Sequence, residues 1–348
     1  MLFQQTTKQR RGMMVGMPAV DLRPLTDHDL PALTELLTAL HPEQPQAATS
    51  LKNRQAFLRS LGEHHAWSLR WNGNSLVGAV ETAGDHNHIG SGLFFLNVRV
   101  HPAWRDDDDE LAGQLFQRGV ETLRPLHPTG LRTRVHEHWP ELAFYQKHGF
   151  EELERSWHST LDLSTFDPGA FVARTQRARA TVQLATLGEL GWTGWDDREE
   201  PEGGVLHRYY TLVVQLLASV PFAESVTPWP FSHWQRVMRQ RGMEPDGAWV
   251  AVAPDGRWAG LTELHPPDTA TPGRAHQGLT GIVPAWRGQG LAWGLKVAAT
   301  EWAKAQGWQT IATVNHTVNR EMLGINAAMG FVRDPAELAL GRTWSAQF

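Results

Sequence analysis

A repeat constrains the fold more than any other feature of this sequence. His101-Pro102-Ala103-Trp104-Arg105 is answered by Val283-Pro284-Ala285-Trp286-Arg287, an offset of 182 residues. At the same offset Ala66-Trp67 matches Ala248-Trp249, Gly78 matches Gly260 and Glu81 matches Glu263. His148-Gly149-Phe150 matches Met329-Gly330-Phe331 at nearly that offset. A period this long marks whole domains, because solenoid units are far shorter. The chain of 348 residues is therefore read as two domains of similar fold, 19–163 and 181–348. The stretch 164–180, with Asp167-Pro168-Gly169, is read as the linker, and 1–18 as a disordered segment.

Local patterns supply the elements. Thr26 and Asp29 stand three apart in the manner of a capping box, and Leu30, Leu33, Leu36, Leu37 and Leu40 share one helical face. Asn72-Gly73 lies between two strand-like runs and predicts a tight hairpin. In the second half 205–219 and 229–240 read as helices, and 248–252 and 258–264 as a hairpin about Asp255-Gly256.

Most of the chemistry lies in 280–306. A β-rich run meets Pro284, and Arg287-Gly288-Gln289-Gly290-Leu291-Ala292 follows. A helical pattern comes next, with Leu291, Leu295, Ala298, Ala299 and Trp302 on its apolar face and Gly307 at its end. A strand, a glycine turn and a helix N-terminus in that order present free N–H groups and the positive end of the helix dipole to an anion. Glycine lets the backbone approach a bulky anion closely. The predicted ligand is a phosphate or pyrophosphate. The turn is not a P-loop, which needs Gly-Lys-Ser/Thr where Leu291-Ala292 stand, nor a dinucleotide turn, whose third glycine is replaced by Trp293.

The spacing Arg-x-x-Gly-x-Ala after Val283-Pro284 resembles the acetyl-CoA pyrophosphate loop of the GNAT superfamily of N-acetyltransferases. Downstream, Asn315 ends an apolar run, and Asn319, Met322, Asn326 and Gly330-Phe331 match a second segment of that family. The resemblance implies an α/β (α+β) chain of two tandem GNAT-like domains, each a mixed, mostly antiparallel sheet flanked by helices. Tandem members such as mycothiol synthase have this arrangement. The implied activity is direct acyl transfer from an acyl-CoA, acetyl-CoA in the first instance, to the amine of a small molecule.

The resemblance also assigns residues. The pyrophosphate would lie on the amides of Arg287, Gly288, Gln289, Gly290, Leu291 and Ala292, and the pantetheine arm along Ile282 and Val283, with an N–H near Val283 polarising the thioester carbonyl. Asn319 matches the position that contacts the pantetheine arm, and Asn315 ends the neighbouring strand. Glu263 and His276 are alternative general bases for the amine. Asn326 stands where the family keeps the tyrosine that protonates the departing thiolate. In the first half Arg105-Asp106-Asp107-Asp108-Asp109-Glu110 replaces the glycine loop, and its charges would repel a pyrophosphate. That domain is therefore expected to be degenerate, with Tyr145 as packing. Two further readings compete: an acyl-CoA-binding regulatory protein without turnover, and a protein-modifying acetyltransferase.

Composition narrows the rest. Hydrophobic residues make up 41% of the chain, enough for two cores. The net charge of −5 and the lack of a basic patch exclude nucleic acid as an expected partner. Cysteine is absent, which excludes disulfides and a cysteine acyl-enzyme. No apolar run is long enough to span a membrane and no secretory pattern opens the chain, so a cytoplasmic monomer or homodimer is expected. No metal is expected either: His136-Glu137-His138 places two imidazoles on one strand face, reads as solvated, and lacks an evident third ligand.

Overall fold

The computed structural model describes residues 22–196, 202–220, 227–269 and 271–345. The segment 1–18 expected to be disordered lies outside the described residues. The chain forms two compact units: one ends at Thr133 and takes Thr343 onward, and the other is Arg134–Arg342.

Unit 1 begins with β1 (Leu22–Pro24), α1 (Leu30–Leu40), α2 (Ala48–Ser60), β2 (His65–Asn72) and β3 (Ser75–Gly84). It continues with β4 (Leu93–Val100) and α3 (Glu110–Leu123), and β5 (Gly130–His136) passes into unit 2 after Thr133. β1 to β4 are joined by antiparallel ladders, and β4 pairs β5 in parallel. The five leucines of α1 are all buried, packed with Trp67, Leu69, Leu76 and Ala79. Each such side chain contributes about 1.5–3 kcal/mol. The expected capping box forms: Thr26 N donates to Asp29 Oδ2 at 2.8 Å. The β2–β3 hairpin turns at Gly73, whose φ of +57° suits glycine.

Unit 2 opens with α4 (Glu141–Lys147), β6 (Glu151–Asp162), α5 (Val172–Thr181) and β7 (Gln183–Thr186). Then come α6 (Val205–Leu217), α7 (Phe231–Gln240), β8 (Ala248–Val252), β9 (Trp258–His265) and β10 (Arg274–Ile282). It closes with α8 (Leu291–Ala305), β11 (Thr310–His316), α9 (Arg320–Met329), β12 (Val332–Arg333) and β13 (Glu337–Thr343). Its sheet runs β7-β8-β9-β10-β11-β6, with β12 and β13 also pairing β6. Only β10–β11 is parallel among these ladders. Each unit therefore carries the expected mixed, mostly antiparallel sheet flanked by helices. α8 packs on β8, β9 and β10 and buries Leu291, Leu295, Val297, Ala298, Ala299 and Ala303.

Two features differ from the sequence reading. The compact units divide at Thr133, whereas the repeat places a boundary near 163. β6 follows the first repeat's Gly149-Phe150 in sequence, yet it pairs β11 from Thr310↔Asp162 to His316↔Ser156. Residue similarity marks the repeat, but strand pairing decides which sheet a strand completes. The stretch read as a linker is folded as well. It holds a 3₁₀ turn at Pro168–Phe171 and helix α5, which packs on α8. The approach is close at Gly294, where a Cβ would lie 2.6 Å from Ala178 Cβ.

Candidate functional site

β10 and β11 pair only from Arg274↔Thr310 to His276↔Ala312. Beyond that β10 stays on β9 while its register shifts between Gln277 and Thr280, and a gap opens toward β11. The bulge has a local cause. A Cβ on Gly278 would lie 2.4 Å from Glu263 Oε1, so only glycine fits there. Glu263 is buried on β9, and its Oε1 accepts the N–H of Leu279 at 3.2 Å. Its other oxygen accepts the Tyr209 hydroxyl at 3.0 Å. Burial opposes ionisation of Glu263, but His265 and these donors outweigh it and hold the pKa below the usual carboxylate value. Tyr209, buried beside that carboxylate, has its own pKa pushed well above the ordinary phenol value. Glu81, the first repeat's counterpart of Glu263, is likewise buried and bonded to Arg54, His65 and Asn97.

At the end of β10 the chain enters a 3₁₀ turn, Pro284–Trp286, and then the glycine loop. Gly288 and Gly290 have φ of +77° and +79°. Gly290 is the N-cap of α8, and its carbonyl accepts the N–H groups of Trp293 and Gly294. Arg287 Nε donates to Ile282 O at 3.0 Å, which ties the loop back to the strand. A Cβ on Gly288 would meet nothing within 4 Å, and one on Gly290 would meet only Arg177 Cδ at 3.8 Å. The loop is thus an open cradle of backbone at a helix N-terminus.

A cavity of about 660 Å³ lies over this cradle. Ile282, Arg287, Gly288, Gly290, Leu291 and Ala292 line it, as does Asn319, whose side chain also caps α9 by accepting Met322 N at 3.3 Å. Val283, Gln289 and Asn315 are not among the lining residues. The expectation for Val283 needs correction: its N–H donates to Ala259 O at 2.8 Å and is committed to β9. Strand alternation turns the N–H of Ile282 to the opposite edge, facing the gap. Asn315 and Asn326 bond each other, Nδ2 of Asn326 to Oδ1 of Asn315 at 2.6 Å, and Asn326 is buried away from the cavity lining.

Sequence reasoning missed Arg174 and Arg177. Both lie on α5 and line the cavity, and the Arg174 guanidinium stacks 4.0 Å over the Trp293 ring. With Arg287 they put three cations beside the helix N-terminus. The basic residues Arg174, Arg177 and Arg179 in the stretch read as a linker were the visible signal.

The two candidate bases lie on neighbouring strands, paired with one another through His265↔His276. Neither lines the cavity. His276 is exposed on β10. The protein packed round it, the imidazole of His265, the guanidinium of Arg241 and His158 all push its pKa below the usual imidazole value. It is neutral at physiological pH and carries a lone pair for a proton.

Residues 214–331 match the Acetyltransferase (GNAT) family. The chain carries a GNAT acetyltransferase domain. No curated protein is a significant match. Among solved structures, the GCN5-related N-acetyltransferase from Sphaerobacter thermophilus is 16% identical with a TM-score of 0.65, over 94% of this chain and 97% of that one. A tandem GNAT protein from the clavulanic acid biosynthesis pathway is 21% identical with a TM-score of 0.67, over 93% and 98% of the two chains. At these identities the likeness establishes the fold. The GNAT match contains the glycine loop, α8 and the Asn319–Phe331 segment, so it overlies the cavity described above.

In unit 1 the place of the glycine loop is taken by acids. Asp109 caps α3 with φ +57°, the counterpart of Gly290, and Asp106 Oδ1 accepts Glu110 N at 2.9 Å. Asp106 thus already takes one N–H of the helix N-terminus, and the neighbouring acids put negative charge where an anion would lie. Tyr145, read as packing, is fully buried against Phe150. No helix among the described residues is long and apolar enough to cross a membrane.

Proposed function

We propose that this protein is an acyl-CoA-dependent N-acyltransferase acting on a small amine, with one active site in the GNAT domain of unit 2. The observation that carries the reading is the open cradle of Gly288 and Gly290 at the N-terminus of α8, facing a cavity with three arginines. Gly288 to Ala292 would hold the pyrophosphate with backbone N–H groups, the Arg287 N–H being committed to Pro284 O at 3.3 Å, and Arg174 and Arg177 would balance its charge. The acyl-CoA supplies an activated acyl group. The Ile282 N–H faces the gap between β10 and β11 and would orient the carbonyl there.

An alkylamine acceptor must lose a proton before it attacks. His276 is the candidate for that step, directly or through water, because it is neutral, exposed and stands where β10 and β11 part, although its lowered pKa makes it a weak base. Glu263 is better suited to positioning: its carboxylate is spent on Leu279 N and Tyr209, which fix the bulge that opens the gap. Asn326 is held by Asn315 and has no acidic proton, so water is the proposed proton donor to the leaving thiolate.

The test is release of free CoA from acetyl-CoA across a panel of small amines, beside calorimetry for binding. Turnover with a small amine and one acetyl-CoA bound per chain is expected. Stoichiometric binding with no turnover on any amine would favour the regulatory reading. Turnover only on lysine-containing peptides would favour the protein-modifying one.

A further inference from the structure

We propose that His136, His158 and Glu337 bind one divalent transition-metal ion of the zinc class, acting as a structural staple. The three residues are far apart in sequence, on β5, β6 and β13, and the fold brings one ligand atom from each within 4.8 Å of the others. None of them lines the acyl-CoA cavity. The site therefore lies outside that cavity, although His158 also stands near His276.

Each side chain is prepared for coordination. His136 is buried, and its Nδ1 donates to Pro335 O at 3.1 Å. That bond fixes the tautomer with the lone pair on Nε2, the arrangement a ligating imidazole adopts. His158 Nε2 is buried and has no hydrogen-bond partner among the described residues. A buried ring nitrogen without a partner requires a physical reason. It lies 3.6 Å from Glu337 Oε2, too far for a hydrogen bond. Two ligands on a tetrahedral ion with bonds of about 2.0–2.1 Å stand about 3.4 Å apart, close to that separation. The rings of His136 and His158 have centroids 5.0 Å apart.

Glu337 is oriented by its ion pair with Arg134. Arg134 Nη1 bonds Oε1 at 2.9 Å, which turns Oε2 toward His158. Glu137 steadies the same corner: Oε1 accepts Ala336 N at 3.0 Å, and Oε2 pairs with Arg155 at 2.7 Å. Arg134 also repels a cation, and its pairing with the outer oxygen limits that cost. Two imidazoles and one carboxylate suit zinc and its neighbours better than calcium or magnesium, which prefer all-oxygen sites.

The experiment uses the full, tag-free chain, treated with EDTA, dialysed, and titrated with ZnCl2 and separately with CoCl2. Expected are one zinc per chain by elemental analysis and a rise in Tm with zinc. Cobalt should give a visible band of a low-coordinate nitrogen–oxygen site, which zinc abolishes. His158→Gln and Glu337→Gln should each lose the band and at least tenfold in zinc affinity, with acetyl-CoA binding unchanged. Absence of both stoichiometric zinc and the cobalt band in the wild-type chain would overturn the proposal and leave the cluster an ion-pair network. Equal zinc binding by His158→Gln would also overturn it. The wild-type cobalt spectrum decides even if a variant fails to fold.

Discussion

Gly290 and Asp109 hold the same place in the two repeats, each at positive φ at a helix N-cap. One leaves the backbone bare and the other adds a carboxylate. Gly290→Glu should therefore weaken acetyl-CoA binding on the order of 10²-fold by calorimetry, through charge repulsion and the strain of a side chain at positive φ. Unchanged affinity would remove the loop from the site. For the proton, His276→Ala is expected to lower kcat about 10²-fold or more with cofactor affinity preserved. Because the His276 pKa is depressed to about 4, its deprotonation adds no limb to kcat/KM between pH 6 and 9. A limb there is expected from the amine. A wild-type rate in His276→Ala with a high-pKa amine would assign the proton to solvent. Lys296 gives a stability test. It is buried on α8, bonded to the Gln277 side chain and set over the Phe331 ring, and burial lowers its pKa from 10.5 to about 7. The unfolded chain then binds more protons between those values, so this residue makes stability rise with pH from about 7 toward 10.5. Denaturation at pH 7 and pH 9.5 should show that rise reduced in Lys296→Met. An identical pH dependence would mean Lys296 is not held as the structure places it.

Helix α5 changes meaning once it is seen against α8. As a linker it would only join domains; as a packed helix it delivers Arg174 and Arg177 to the cavity. Each Arg→Ala change should weaken acetyl-CoA binding about tenfold, more at low salt than at high. No effect from either would leave the pyrophosphate to the backbone alone. The contact at Gly294 leaves no room for a side chain against Ala178 and Leu184. Gly294→Leu should lower Tm and cofactor affinity together, because it forces α5 off α8. A fall in Tm with affinity intact would separate the helix from the site.

At the scale of the whole molecule, β6 decides what can be cut. A fragment 181–348 begins after the strand that β11, β12 and β13 all pair with. It should be insoluble or show a non-cooperative melt, whereas the full chain melts cooperatively. A well-folded, active fragment 181–348 would show that β6 is dispensable. The full chain should bind one acetyl-CoA, since Asp106 to Glu110 occupy the other helix N-terminus. A stoichiometry of two would refute that.

Much of this was legible in the residues, where the determining forces are local. The Leu30 to Leu40 stripe, the Asn72-Gly73 and Asp255-Gly256 turns and the Arg287–Ala292 loop each depend on a few neighbours in the chain, so their spacing was enough. The partners of Glu263 were not legible, because Tyr209 and Leu279 reach it through separate elements. The commitment of the Val283 N–H to Ala259, the role of α5 and the pairing of β6 with β11 were hidden for the same reason. The sequence by itself determined the repeat, the element types and the anion-binding turn, through periodicity and glycine chemistry. Only the tertiary structure decided which sheet β6 completes, which arginines reach the cavity and that His136, His158 and Glu337 meet, because each depends on contacts between residues distant in the chain.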